Sequence, residues 1–293
     1  MRQIDLVGPI ARTTRLDALA SALRTAATKV LRQPPWLKDA LHGVWLGHPL
    51  HPALAQVSYG CFTGAAVLDL TGDRGRVAGR LIGCGIATAV PTAAAGLADY
   101  ADGHEEQQRI GVVHAAANTA ALLCYVGSLR RRAQGRRGGP ALALLGYGLM
   151  SVSAMIGGDL AFRWAAGPNH AAEVYHSGPA EWTDIGAITE FTPDKPERRM
   201  AGLIPVMVVV SDDGVAVLHD RCSHMAAPLY QGELIERDGA RCVQCPWHGS
   251  VFRLADGAVV NGPATAPQPV LQSRIENDRL QVRVPEIPGV PAS

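Results

Sequence analysis

Charge is scarce in this chain. Only 18% of its 293 residues are Asp, Glu, Lys or Arg, below the usual quarter. The 27 basic and 26 acidic groups leave a net charge of +1. A nucleic-acid binder usually carries a basic excess, so no nucleic-acid partner is expected. Six cysteines are too few for a disulfide scaffold in a chain of this length. No Cys-x-x-Cys-His stretch occurs, which excludes covalent haem attachment of the c type. Residues 1–35 hold no apolar run followed by a cleavage site, so the first long apolar segment is expected to act as its own insertion signal. Aromatics are rare at 5%, yet apolar residues reach 47%, which disfavours long disorder.

The near-zero net charge hides an asymmetry. Residues 1–50 carry 7 basic and 3 acidic groups, residues 51–164 carry 10 and 7, and residues 165–293 carry 10 and 16. The front is basic, the middle is rich in Ala and Gly, and the back is acidic.

Four stretches in the middle lack Asp, Glu, Lys and Arg altogether: 52–68, 81–98, 110–129 and 138–158. A helix needs roughly 20 mostly apolar residues to cross a bilayer core. Short charged loops at 69–80, 99–109 and 130–137 separate the four. An Ala-rich soluble bundle is the alternative, but a soluble helix shows a charged or polar stripe. Segment 110–129 offers only His114, Asn118, Thr119 and Ser128. Gly60/Gly64 and Gly79/Gly83 have the spacing of close helix contacts, and Pro91 is expected to kink the second helix.

Four crossings place both termini and the middle loop on one side. Basic residues near the helix ends favour the other side: Arg74, Arg76, Arg80 and Arg130–Arg132, Arg136, Arg137 against Arg32, Lys38, Arg109 and Arg163. Cytoplasmic loops are the more basic ones. The C-terminal domain is thus expected outside the cytoplasm of a bacterial plasma membrane.

His48, His51 and His114 fall at or just inside the same side. Ionisable groups within a span are costly, so His51 and His114, with His48 beside them, are candidates to hold haem b or a quinone. The alternative is that these histidines hydrogen-bond backbone or water at the interface.

The acidic third contains Cys222-Ser223-His224 and Cys245-Pro246-Trp247-His248. Each pair offers one thiolate and one imidazole. That is the ligand set of a Rieske [2Fe–2S] centre, with two Cys on one iron and two His on the other. Two ferric irons, two sulfides and two thiolates sum to zero charge, so an added electron meets a neutral cluster. The potential then lies at roughly −150 to +300 mV, against about −400 mV for all-Cys plant-type ferredoxins. Zinc is the alternative, but structural zinc sites commonly use a Cys pair and a separate His pair. Cys242 and Cys245 do form one Cys-x-x-Cys; Cys242 is expected to be a buried strand residue.

These residues carry a resemblance. Cys245-Pro246-Trp247-His248-Gly249-Ser250 resembles the second cluster loop of Rieske proteins. Cys222-Ser223-His224, with Pro228-Leu229 after it, is similar to the first, and Gly262-Pro263-Ala264 to the proline loop that covers the cluster. The resemblance spans 182–284 and implies a small antiparallel β domain with a [2Fe–2S] cluster at its tip and the two histidines toward solvent. Short β-branched runs at 204–210, 215–219, 270–275 and 280–284 agree with it. The spacing between the loops is longer than usual, which suggests an extended hairpin near 235–240. Cytochrome bc-type members add a cysteine to each loop; Ala227 and Trp247 stand there, so no bridge is expected. Ser250 matches a serine that donates to a bridging sulfide. Phe252 replaces a tyrosine that donates to a cysteine sulfur, which implies a potential below that of quinol-oxidising members.

A second resemblance covers about 41–164. Residues 47–52, Gly-His-Pro-Leu-His-Pro, are similar to the opening of bacterial four-helix membrane domains of uncharacterised function. The fold class expected is therefore multi-domain: an all-α four-transmembrane-helix bundle and an all-β Rieske domain. Residues 1–40 form a tail with a surface helix around 16–31. Residues 165–181 form a linker, either free to swing or rigid, and 285–293 a disordered tail. The function expected is a membrane-anchored carrier passing single electrons between a respiratory dehydrogenase or the quinone pool and a partner. Alternatives are a quinone oxidoreductase or haem-b subunit using the membrane histidines, and an accessory subunit of an uptake hydrogenase. A ferredoxin feeding a detached oxygenase is disfavoured by the anchor. Nothing resembling a 2-His-1-carboxylate oxygenase site follows the cluster motif, so no catalytic residue is expected.

Overall fold

The computed structural model describes Asp5 and residues 7–31, 34–72 and 76–286. Arg32, Arg74 and the tail from 287 lie outside the described residues. The chain divides into two compact units, 1–41 with 49–167, and 168–293 with 42–48.

The first unit is helical. Three N-terminal helices, α1 (Gly8–Ala11), α2 (Asp17–Leu31) and α3 (Pro35–His42), precede four long ones: α4 (Leu50–Leu70), α5 (Arg76–Ala101), α6 (Glu105–Ala133) and α7 (Gly139–Phe162). Each long helix has the length and apolar composition to cross a membrane. Their outward side chains are apolar: Val90, Leu123, Met155 and Phe162 are all more than half exposed. Local chemistry sets the ends. Pro52 sits in the first turn of α4, where a missing N–H costs nothing. The backbone N–H of His104 donates to Gln107 Oε1 at 2.8 Å, closing the start of α6. Glu105 and Glu106 lie at its positive end and Arg130–Arg132 at its negative end.

Helices α4 and α5, α5 and α6, α6 and α7, and α7 and α4 are packing neighbours, so α4 faces α6 across a diagonal. Phe62 of α4 stacks on Tyr125 of α6 across it, with ring centroids 3.8 Å apart. Gly85 of α5 makes room: a Cβ there would lie 2.6 Å from the Phe62 ring. At one end Arg132 pairs with Asp69, whose side chain is 1% exposed. Arg132 also donates to Ser128 Oγ, and Ser128 Oγ to the Gly139 carbonyl.

The N-terminal helices pack on the opposite end. Ala27 and Leu31 of α2 are buried with Ala98 and Ala101 of α5. Asp17 pairs with Arg109 at 2.6 Å, Asp5 with Arg163 at 2.7 Å and Asp102 with Lys38 at 2.9 Å. This packing leaves the sidedness undecided. It brings Arg12, Arg15, Arg24 and Lys29 to the end that already holds Lys38, Arg109 and Arg163. The other end holds Arg76, Arg80, Arg130, Arg131, Arg132, Arg136 and Arg137. Among the described residues the two ends are equally basic, and the charge count assigns neither to the cytoplasm.

The second unit is built from antiparallel strands: β1 (Thr183–Ala187), β2 (Glu197–Ala201), β3 (Ile204–Ser211), β4 (Gly214–His219), β5 (Glu233–Arg237), β6 (Ala240–Gln244), β7 (Val251–Arg253), β8 (Val259–Asn261), β9 (Gln272–Glu276) and β10 (Arg279–Arg283). They form sheets ordered β1-β10-β9, β2-β3-β4 and β5-β6-β7-β8. The Asp238-Gly239 corner of the β5–β6 hairpin has both residues at positive φ, at 50° and 72°, as a tight hairpin turn requires. Strand β3 divides two cores by its two-residue period. Ile204, Val206 and Val208 enter one with Leu280 and Val282; Met207 and Val209 enter the other with Cys222, Cys245 and Phe252.

The segment expected as a linker is largely part of this unit. Ala171 and Val174 are fully buried, Val174 in the first core, and a short helix α8 spans Val174–Ser177. The His170 N–H donates to the Ser223 carbonyl at 2.9 Å. Burial of Val174 outweighs the breaking tendency of the Gly-Pro pairs on either side.

Candidate metal centre

Two turns of similar build hold the motif residues. In the first, after β4, the Cys222 N–H donates to the Ala227 carbonyl and the Ala226 N–H to the Cys222 carbonyl, each at 2.8 Å. Asp220 anchors its far side by accepting from the Tyr230 N–H at 2.8 Å. In the second, between β6 and β7, the Cys245 N–H donates to the Ser250 carbonyl at 2.7 Å and the Gly249 N–H to the Cys245 carbonyl at 3.2 Å. Gly249 takes φ 79°, which glycine adopts without a Cβ penalty, and Ala226 takes the same region in the first turn at φ 58°.

Cys222 and Cys245 are buried, 0% and 3% exposed, and hydrogen-bond each other. That shared bond draws Cys245 down to about 7, helped by the Trp247 and His248 N–H groups. The same bond, with burial, pushes Cys222 up, while the His224 and Met225 N–H groups favour its thiolate. His224 and His248 stand edge to face with ring centroids 5.0 Å apart. Trp247 lies beside His248, its centroid 6.3 Å away, and is 49% exposed.

The donors therefore form a thiol pair and an imidazole pair. Among the described residues no three His, Cys, Asp or Glu converge on one point. A two-iron cluster asks for two protein donors per iron, so this donor set fits it. Cys242 lies apart: it is buried in β6 and its Sγ faces the Ala240 carbonyl at 3.5 Å. All six cysteines are free, and Ala227 is buried while Trp247 is exposed.

Ser250 is fully buried; its Oγ accepts from the Ala264 N–H at 3.0 Å, which leaves its own proton to donate. That contact ties the Gly262-Pro263 loop to the second turn. Phe252 is fully buried and has no donor to offer.

Gln268 was not singled out by the sequence. It is 1% exposed. Its Oε1 accepts from the Ser223 N–H at 2.9 Å, and its Nε2 donates to the His219 and Arg221 carbonyls at 2.6 and 2.7 Å. Ser223 Oγ also donates to the Ala266 carbonyl at 2.8 Å. These bonds brace the first turn against residues 266–268. A polar residue between two prolines is the signal that marks it, and it reads equally well as an exposed loop. His219 is fully buried, and its Nδ1 has no partner among the described residues; burial holds it down at about 4, hence neutral.

In the helical unit, His51 and His114 come together across the α4–α6 diagonal, centroids 6.3 Å apart and planes at 74°. His51 Nδ1 donates to the Thr92 carbonyl of α5 and His114 Nδ1 to the Ser153 carbonyl of α7, each at 2.9 Å. Asn118 Nδ2 donates to His114 Nε2 at 3.0 Å. His48 is not part of this pair: it is exposed and falls with residues 42–48 in the other unit.

A β domain with two Cys–His turns braced by a third loop defines a Rieske-type iron–sulfur protein. Family comparison agrees. The Rieske [2Fe-2S] domain model matches residues 181–282, and the model described as "Predicted membrane protein (DUF2231)" matches residues 47–169. The chain belongs to the Rieske [2Fe-2S] family and carries that membrane-protein domain ahead of the Rieske domain. It is 40% identical over 105 residues to the anthranilate 1,2-dioxygenase ferredoxin subunit of Burkholderia cepacia, covering 36% of this chain and 94% of the relative. It is 28% identical over 102 residues to ferredoxin CarAc of Metapseudomonas resinovorans, covering 34% and 92%. Among solved structures, the ferredoxin of carbazole 1,9a-dioxygenase from Nocardioides aromaticivorans IC177 is 21% identical. That match covers 36% of this chain and all of the other, with a TM-score of 0.33.

Proposed function

We propose that the chain is a membrane-anchored one-electron carrier whose Rieske domain delivers electrons to an oxygenase-type or reductase partner. The observation that carries the reading is the pairing of Cys222 with Cys245 and of His224 with His248, in a domain aligned with nearly the full length of a dioxygenase ferredoxin subunit.

When bound, the cluster supplies a one-electron redox step. Cys222 and Cys245 would hold one iron as thiolates; His224 and His248 would hold the other as neutral imidazoles. The N–H groups around the two sulfurs, and the Ser250 hydroxyl, favour the more negative reduced form. Phe252 adds no donor, so the potential falls below that of members with a tyrosine there. Trp247, half-exposed beside His248, offers an apolar contact where electrons leave. Helices α4–α7 would keep the carrier at the membrane, where a dehydrogenase or the quinone pool is the donor side. The dioxygenase ferredoxin relatives favour a terminal acceptor other than quinone.

The test is EPR and redox titration of the detergent-extracted full chain. One reducible [2Fe–2S] centre per chain is expected, lost in Cys222→Ser. Zinc alone in protein matured with ample iron and sulfide refutes the reading.

A further inference from the structure

We propose that His51 and His114 are the axial ligands of a haem iron held between α4 and α6. This site goes beyond the carrier reading and does not depend on it.

The spacing of the two rings suits two imidazoles sharing one metal. With a metal–nitrogen bond of about 2 Å, and roughly 1 Å more from nitrogen to ring centre, two such rings have centroids about 6 Å apart. The observed separation is 6.3 Å. Metal-binding histidines almost always donate their other N–H to a carbonyl or carboxylate. Here both Nδ1 atoms donate to backbone carbonyls, of Thr92 on one side and Ser153 on the other. Both rings thus have Nε2 as the basic nitrogen. The backbone has been cut back to admit them. A Cβ on Gly96 would lie 2.7 Å from the His51 ring, and one on Gly157 would lie 3.1 Å from the His114 ring.

The group bound must bring most of its own ligands. Two imidazoles cannot complete the shell of a bare ion, and among the described residues no third His, Cys, Asp or Glu joins them. A macrocycle supplies four nitrogens and an apolar rim suited to the span. The most buried positions below the pair carry small side chains. Phe62 and Tyr125, which fill the next level, each lie 11 residues on from His51 and His114, and therefore on the same helix faces. Between the two levels the buried positions are Ser58, Ala89, Thr92, Ala121 and Ser153, with Ile86, Leu122 and Met150 partly buried against the Phe62–Tyr125 stack. The Asn118 amide, one turn from His114, donates to the nitrogen that iron would take, so binding requires that bond to break.

The experiment uses the full chain, made in a haem-replete bacterial host and extracted in detergent. The readouts are a reduced-minus-oxidised visible spectrum, a pyridine haemochrome assay and EPR of the cluster. About one haem per chain is expected. His51→Ala and His114→Ala should each lower haem content at least tenfold and leave the cluster signal unchanged. Cys222→Ser should do the reverse, which separates failure of this site from failure of the carrier reading. Added imidazole should restore haem to His51→Gly, which distinguishes a lost ligand from a lost fold. Wild-type protein that shows the cluster signal and no haem overturns the proposal, as does haem retained in both histidine variants.

Discussion

Gln268→Leu is the perturbation that most directly tests how the cluster turns are held. Leucine approximates the glutamine in volume and supplies none of its polar atoms. In the native side chain, Oε1 takes the Ser223 N–H and Nε2 serves the His219 and Arg221 carbonyls. Ser223 is 3% exposed, so its N–H finds no water in exchange. A buried donor left unpaired costs about 1–3 kcal/mol, and each lost bond at a carbonyl about 1 kcal/mol more. The expected loss is about 3–5 kcal/mol, a large part of the 5–15 kcal/mol typical of a domain. For a unit of this size that corresponds to a fall of about 10–20 °C in the midpoint of thermal unfolding. Bleaching of the cluster's visible absorption on heating, in the full chain, reads it directly. The Ser223 N–H lies between Cys222 and His224, so the reduction potential should shift as well. A variant that unfolds within about 0.5 kcal/mol of wild type would show that the first turn holds itself.

Three further outcomes follow from the same geometry. Phe252→Tyr adds a donor in the buried core, and Ser250→Ala removes one. A hydrogen bond strengthened by about 1–2 kcal/mol on reduction moves a one-electron potential by about 40–90 mV, so the first variant should titrate higher and the second lower. His219 is held at about 4 when folded, against about 6.5 in an unfolded chain. Below about 6.5 the unfolded chain takes a proton that the folded domain refuses. Stability is therefore full above that pH and falls as pH drops toward 4, by about 3 kcal/mol in all; urea titrations of His219→Gln should show a shallower fall. Asp69→Ala leaves Arg132 without its partner at a site where the carboxylate is 1% exposed. That should destabilise the bundle by about 3–5 kcal/mol, seen as a lower aggregation temperature in detergent.

The helical bundle was readable because its signal is local. A charge-free stretch of about 20 residues reports its own environment, and the four observed helices contain the stretches that marked them, save Gly138, which caps α7 from outside. The Cys–His pairs were readable for a similar reason: each donor pair sits within one turn, so short spacing already encodes its geometry. The β5–β6 hairpin was visible as extra length between those turns.

Contacts between distant segments were not readable, because nothing local constrains them. Gln268 meets Ser223 across 45 positions, and only the packing of the 266–268 loop on the first turn turns a loop glutamine into a buried brace. Asp17 meets Arg109 across 92 positions, and that ion pair, with the apolar contacts of α2, carries four basic residues to the bundle end and evens a charge count that was unequal on paper. His51 and His114 each stood out as polar groups in apolar helices, yet it is the square packing of four helices that sets them face to edge across a diagonal. Covalent spacing and periodicity act along the chain; burial and pairing act through space, and they exist only once the chain has closed on itself.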